Sequence, residues 1–97
     1  MTFRQLSDEY VNIRGARIVF DISDNNTKYI QDISYESPFP KINQVYITIT
    51  LWDNSEVDCY YCIGSVSRTS FKMFLTIADK HSTTANALGF SYVAIQI

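Results

Sequence analysis

From residue 44 to residue 52 the chain reads QVYITITLW, with apolar side chains at every second position. Val45, Ile47, Ile49 and Leu51 share one side, and Tyr46, Thr48, Thr50 and Trp52 share the other. That is the period of a β-strand, in which successive side chains point to opposite faces. The same period recurs in residues 15–23, where Ala16, Ile18, Phe20 and Ile22 alternate with Arg17, Val19 and Asp21. In residues 70–77 it sets Phe71, Met73, Leu75 and Ile77 on one face. Residues 29–36, 57–66 and 90–97 complete six predicted strands. Between them lie turn-forming stretches, DNNTK at 24–28, DNS at 53–55 and SRT at 67–69. Pro38 and Pro40 in SPFP fix φ and withhold backbone donors, which predicts a bend or a strand edge there. No segment holds a helical stripe, and LSDEYVNI (6–13) is open between a turn of helix and an extra strand. Strands at this spacing predict an all-β, six-stranded antiparallel β-sandwich.

A strand on the surface of such a sandwich buries one face and wets the other. Here the outward set includes Val19, Tyr46, Trp52, Tyr60, Cys62 and Phe74, which is apolar for a wetted surface. β-Strands favour such residues even when half exposed. Large contiguous apolar patches, however, are uncommon on small monomers. The expectation is an oligomer interface formed by Tyr46, Thr48, Thr50, Trp52, Tyr60 and Phe74.

Length sharpens this. The chain has 97 residues, enough for a single domain (1–97) with a thin core, and residues 1–14 are given no definite structure. Composition is 46% apolar and 14% aromatic, that of a folded chain. The net charge of −2 is spread along the length, so no basic patch points to nucleic acid or an anionic membrane. MTFRQLSDEY carries an Arg and two acids and no apolar core of a signal peptide, and no later run reaches membrane-spanning length. Synthesis in a cytoplasm is expected, with release as part of a virion compatible with it; membrane insertion is not expected.

Candidate chemistry is sparse. Cys59 and Cys62 form a C-x-x-C, but a zinc site needs two further ligands and His81 is the single His. On a strand, positions 59 and 62 face opposite ways, which disfavours a bridge and leaves two reduced thiols. Asp53, Glu56, Asp58 and Asp79 supply carboxylates, yet all sit near turns, where acids serve solubility; no catalytic role, metal or cofactor is expected. The polar loop ADKHSTTANALG (78–89) offers Asp79, Lys80, His81, Ser82, Thr83, Thr84 and Asn86 to a ligand's hydroxyls, against the alternative of a solvated hairpin. Trp52 is a second candidate platform, against burial in core or interface.

From Ile33 onward, ISYESPFP, QVYITITLWD, SVSRTSF, TIAD and FSYVAIQI occur in an order that resembles the H-type lectin domain, over about two thirds of the chain. The resemblance implies a homotrimer packed through sheet faces, with a terminal sugar, often N-acetylgalactosamine, bound in shallow sites between subunits. Two positions depart from the family. Its sugar stacks on a Trp where this chain has Ile77, and its Arg before the SVS link is replaced by Asp58. An aliphatic side chain lacks the π surface of an aromatic ring, so the site is expected to be altered. The candidate ligand set is Asp58, Ile77, Asp79, Lys80, His81 and Asn86. Two functions follow as expectations. One is a lectin-like adhesion module of a phage fibre tip or other virion component, binding a cell-surface glycan. The alternative is a structural virion protein, a capsid decoration or fibre-assembly subunit docked on other virion proteins without sugar binding.

Overall fold

Alternating sequence becomes six antiparallel strands in a computed structural model that describes residues 12–42, 44–53, 56–81 and 84–97, with the backbone alone at 52 and 53. They are β1 (Asn12–Asp21), β2 (Lys28–Ser34), β3 (Val45–Asp53), β4 (Asp58–Gly64), β5 (Ser70–Asp79) and β6 (Ala87–Gln96). One sheet has the order β1-β6-β3 and the other β2-β5-β4. All pairings are antiparallel.

The inward residues close a single core between the sheets. Ile18 and Phe20 of β1, Phe71, Met73, Leu75 and Ile77 of β5, and Leu88, Phe90, Tyr92 and Ala94 of β6 are buried in it. Aromatic edges cross the gap: Phe71 meets Tyr92 at 5.2 Å and Tyr61 meets Phe90 at 5.5 Å, both T-shaped. Such pairs add about 0.5–1.5 kcal/mol each beyond the area they bury. The predicted sandwich is therefore observed, with the predicted faces of β3 and β5 turned as the alternation required.

The proline corner closes one end of the core. Phe39 is fully buried against Tyr35, with ring centroids 5.0 Å apart. Three side chains hold the surrounding backbone. Arg14 donates to the carbonyls of Ser37 and Pro38 and lies 4.8 Å over the Phe39 ring. Arg68 donates to the Phe39 carbonyl at 2.9 Å. Gln96, wholly buried, accepts from the Lys41 N–H at 3.1 Å and donates to the Lys41 carbonyl at 2.8 Å. The SRT link is tightened by Ser67, whose hydroxyl accepts from the Thr69 and Ser70 amides.

The ends of several elements differ from the sequence expectation. β6 begins at Ala87 rather than Phe90, because residues 87–89 pair with residues 19–21 of β1. The polar composition before Leu88 concealed that pairing. Residues 12–14 belong to β1, while the rest of the N-terminal segment lies outside the described residues, as do Ser82 and Thr83 and the side chain of Trp52. Cys59 and Cys62 are free thiols on opposite faces of β4. Among the described residues, no helix is long and apolar enough to cross a membrane.

Candidate functional site

The connections β1–β2, β3–β4 and β5–β6 meet at the end of the sandwich opposite the proline corner. The first is a chain of side-chain turns. Asp21 accepts from the Ser23 amide and hydroxyl, and Asp24 accepts from Asn26 and from the Tyr29 hydroxyl. These bonds hold both carboxyls below the usual carboxylate range, and burial together with Asp24 pushes the Tyr29 phenol up to about 12. The Ile77 amide donates to the Thr27 carbonyl at 2.7 Å, fastening this turn to β5.

Beside it, the ladder sets Asp58 directly opposite Asp79. Like charges facing one another across a strand pair are destabilising. His81 relieves this. Its Nε2 lies 2.6 Å from Asp58 Oδ2 and its Nδ1 lies 3.5 Å from Asp79 Oδ2. The His81 amide donates to Asp79 Oδ1 at 2.7 Å, which bends the chain back with φ at 51°. With a carboxylate at each ring nitrogen, the imidazolium suits both, since only the charged ring donates from both nitrogens. The hydrogen bond to Asp58 leads in raising His81 above its ordinary 6.5, followed by the charges of Asp79 and Asp58, with Glu56 contributing less.

A shallow cleft of about 360 Å³ opens next to this cluster, lined by Leu51, Val57, Asp58, Cys59, Tyr60 and Ala78. Its aromatic wall is Tyr60, which is 71% exposed. Burial pushes the Cys59 thiol up, aided by Asp58, so this sulfur stays protonated and unreactive. An exposed ring beside a carboxylate can present an apolar face to sugar C–H groups while accepting hydrogen bonds from hydroxyls. Among the described residues, no group of His, Cys, Asp and Glu is arranged to hold a metal ion.

The residues expected from sequence are thus partly assembled. Asp58, Asp79 and His81 form one cluster. Lys80 does not join it: its Nζ donates to the Ile22 carbonyl and to Asn25 Oδ1, at 2.9 and 2.7 Å, tying the last turn to the first. Asn86 is exposed and gives its carbonyl to the Ile22 amide. Ile77 must be withdrawn from the ligand set, because it is 8% exposed and packs into the core. Even-numbered residues of β5 face outward, so no side chain at 77 reaches a surface ligand. Tyr60 was expected in an interface alone, yet it stands two residues from Asp58 on one strand and so shares that face, while the register shift at Asp58–Cys59 is what brings Asp79 opposite Asp58.

The expected interface residues divide between two surfaces. Tyr46, Thr48 and Thr50 lie on the outer face of β1-β6-β3, together with Ile13, Val19 and Val93. Tyr60 and Phe74 lie on the outer face of β2-β5-β4, with Ile30 and Cys62. A second cleft, of about 390 Å³, sits at the proline-corner end and is lined by Ile42, Gln44, Val45, Val66, Ser67 and Arg68.

No family model and no curated protein matches the sequence. Solved structures do share the fold. Over 90% of its length the chain is similar to a C-terminal part of the R1 pyocin fibre of P. aeruginosa, with 15% identity and a TM-score of 0.63. It spans 23% of that fibre chain. An N-truncated R1-type pyocin tail fibre aligns at 14% identity and a TM-score of 0.62, over 90% of this chain and 71% of that one. The tailspike protein gp49 of Pseudomonas phage LKA1 aligns over 88% of this chain and 15% of its own, at 15% identity and a TM-score of 0.59. The six-strand sandwich is accordingly an architecture also found within tail fibres and tailspikes.

Proposed function

We propose that this chain is a receptor-recognition module of a phage-type tail fibre or tailspike, carried on the virion, and that it binds a cell-surface glycan in the cleft beside His81. The observation that carries the reading is the exposed Tyr60 ring next to the Asp58 carboxylate, at the end where three connections converge. The lectin resemblance and the shared fibre fold agree with it. Binding is by recognition rather than catalysis, with Tyr60 as the platform in place of Ile77.

The assembly we propose is a trimer in which the outer face of β1-β6-β3 of one chain meets the outer face of β2-β5-β4 of the next. A head-to-tail contact of this kind uses two different surfaces, and closes as a ring of three when each contact turns the next chain by a third of a revolution; it accounts for apolar residues on both faces. A purely structural virion role would use those same faces, and Ile30, Phe74 and Cys62 side by side on three strands favour it to that extent.

Glycan-array binding by the wild type, Tyr60→Ala and Asp58→Ala tests the recognition reading. Loss of an aromatic contact of about 0.5–1.5 kcal/mol weakens binding by about 2–13-fold. Absence of binding to any bacterial surface glycan, with retained association to another virion protein, would select the structural role.

A further inference from the structure

The edges of the two sheets are not alike. β1, β2 and β4 each carry charge: Arg14, Arg17 and Asp21 in the first, Lys28 and Asp32 in the second, and Asp58 with a register shift beside it in the third. Charges and irregularities of this kind keep an edge strand from pairing with another chain. β3 has neither before residue 52. From Val45 to Leu51 it is uncharged and β-branched or aromatic except at Leu51, and it pairs without a shift on its β6 side. Among the described residues its other side is open, being the margin of the β1-β6-β3 sheet. Among the described residues, backbone hydrogen bonds made outside the ladders touch none of residues 45–51.

We infer that the open edge of β3 pairs with β3 of a second copy, antiparallel about a two-fold axis at Thr48, joining two three-stranded sheets into one of six strands. The sequence is self-complementary in that register. On the outer face Thr48 meets itself and Tyr46 meets Thr50; on the core face Ile47 meets Ile49 and Val45 meets Leu51. Polar or aromatic positions therefore meet their own kind and branched apolar positions meet theirs, with no charge brought opposite another. A two-fold contact requires such self-complementarity. A shift by one residue would turn the apolar set of one chain toward the outer face of the other. The outer face of the joined sheet would be continuous across the seam, carrying Tyr46, which is 52% exposed, and Val93, which is 44% exposed, from both copies.

This pairing does not depend on the trimer proposed above. Alone it makes a dimer, and with a three-fold contact it makes a hexamer. Chains bearing Tyr46→Cys and chains bearing Thr50→Cys, both in a Cys62→Ser background, provide the test. Facing residues across an antiparallel pair have Cβ atoms about 4.5–5.5 Å apart, near the separation of a disulfide. Like positions lie four residues out of register, about 13 Å apart. Oxidation of the mixture is expected to give a reductant-sensitive covalent dimer, and oxidation of either variant alone to give none. Equal cross-linking in all three samples, or none in any, overturns the inference. Light scattering adds a second readout through Thr48→Lys, which sets two ammonium groups face to face at the axis. Its mass is expected to be half that of the wild type, and mixing with Thr48→Glu to restore it. An unchanged mass refutes the edge contact, while a mass one third of the wild type assigns Thr48 to the three-fold face contact instead.

Discussion

Gln96 is a polar residue at 0% exposure, placed where the alternation of β6 would put an apolar side chain. Its amide grips both backbone groups of Lys41, holding the proline corner against the end of the sheet. Replacing it with Leu keeps much of the volume and removes both bonds. A typical internal hydrogen bond contributes about 0.5–1.5 kcal/mol net, so the pair is worth about 1–3 kcal/mol. Lys41 is exposed, so water can reach its freed groups and the lower half of that range applies. For a domain of this size about 1–2 kcal/mol corresponds to a fall in Tm of about 4–16 °C. Gln96→Ala should cost more, since it also leaves a cavity beside Ala94 and Val45. Urea unfolding followed by far-UV circular dichroism measures both. A Gln96→Leu midpoint equal to or above that of the wild type would refute the clamp, because it would show that burying the amide is not offset by the bonds it makes.

Phe39→Ala removes a fully buried ring and its contacts with Tyr35 and Arg14, and should cost about 3–5 kcal/mol by the same assay, leaving little of a small domain's stability. The raised pKa of His81 means that the folded state holds the imidazolium more firmly than the unfolded chain does. Its contribution is therefore full below about 6.5 and is lost as pH rises through the higher folded value. An NMR titration should place the imidazole midpoint above 6.5, and Asp58→Asn should lower it; a midpoint at or below 6.5 contradicts the bridging geometry. His81→Ala should leave Asp58 and Asp79 opposed and flatten the pH dependence of glycan binding on the alkaline side. Gly15→Val should destabilise the β1-β6 pairing, since a Cβ at 15 would stand 2.9 Å from the Tyr92 carbonyl oxygen.

Much of the fold was legible because a period of two is a direct consequence of strand geometry. β3 and β5 showed it without interruption, so their faces were readable residue by residue, and the proline corner announced itself through φ restriction and missing donors. β6 was read three residues short because Ala87 and Gly89 have little side chain to mark a strand; partners on β1 decide it. The loop end was harder. Asp58, Asp79 and His81 were legible as polar residues near turns, but the pairing that sets the two acids opposite each other depends on β4–β5 register. Lys80 was misjudged because its partners, Ile22 and Asn25, lie 58 and 55 residues away. Ile77 illustrates the limit of analogy. Aligning it with a ligand-binding Trp ignored its own parity on β5, which places it beside Leu75 and Met73 in the core.

The surfaces divide by chemistry as well as by position. At the loop end the side chains are charged and mutually satisfied: Asp58, Asp79 and His81 hold one another, and Lys80 is spent on the Ile22 carbonyl and the Asn25 side chain. A ligand binding there would meet an electrostatically preset surface with one aromatic wall, which suits a polar molecule with apolar patches better than a protein face. Along the sides the reverse holds. Ile13, Val19, Tyr46 and Val93 cover one sheet and Ile30, Tyr60 and Phe74 the other, with Lys72 and Asp32 supplying a weak, exposed ion pair at 3.8 Å. Apolar surface of that kind gains free energy by meeting more of itself, in proportion to the area removed from water. Tyr60 belongs to both regions, at the border where a side face runs into the cleft. If copies associate through these faces, Tyr60 stands where a neighbouring chain can complete the wall of the site. Assembly and recognition are then coupled through a single ring: disrupting the face contact with Ile30→Lys, on the opposite edge strand from Tyr60, should weaken glycan binding along with the mass.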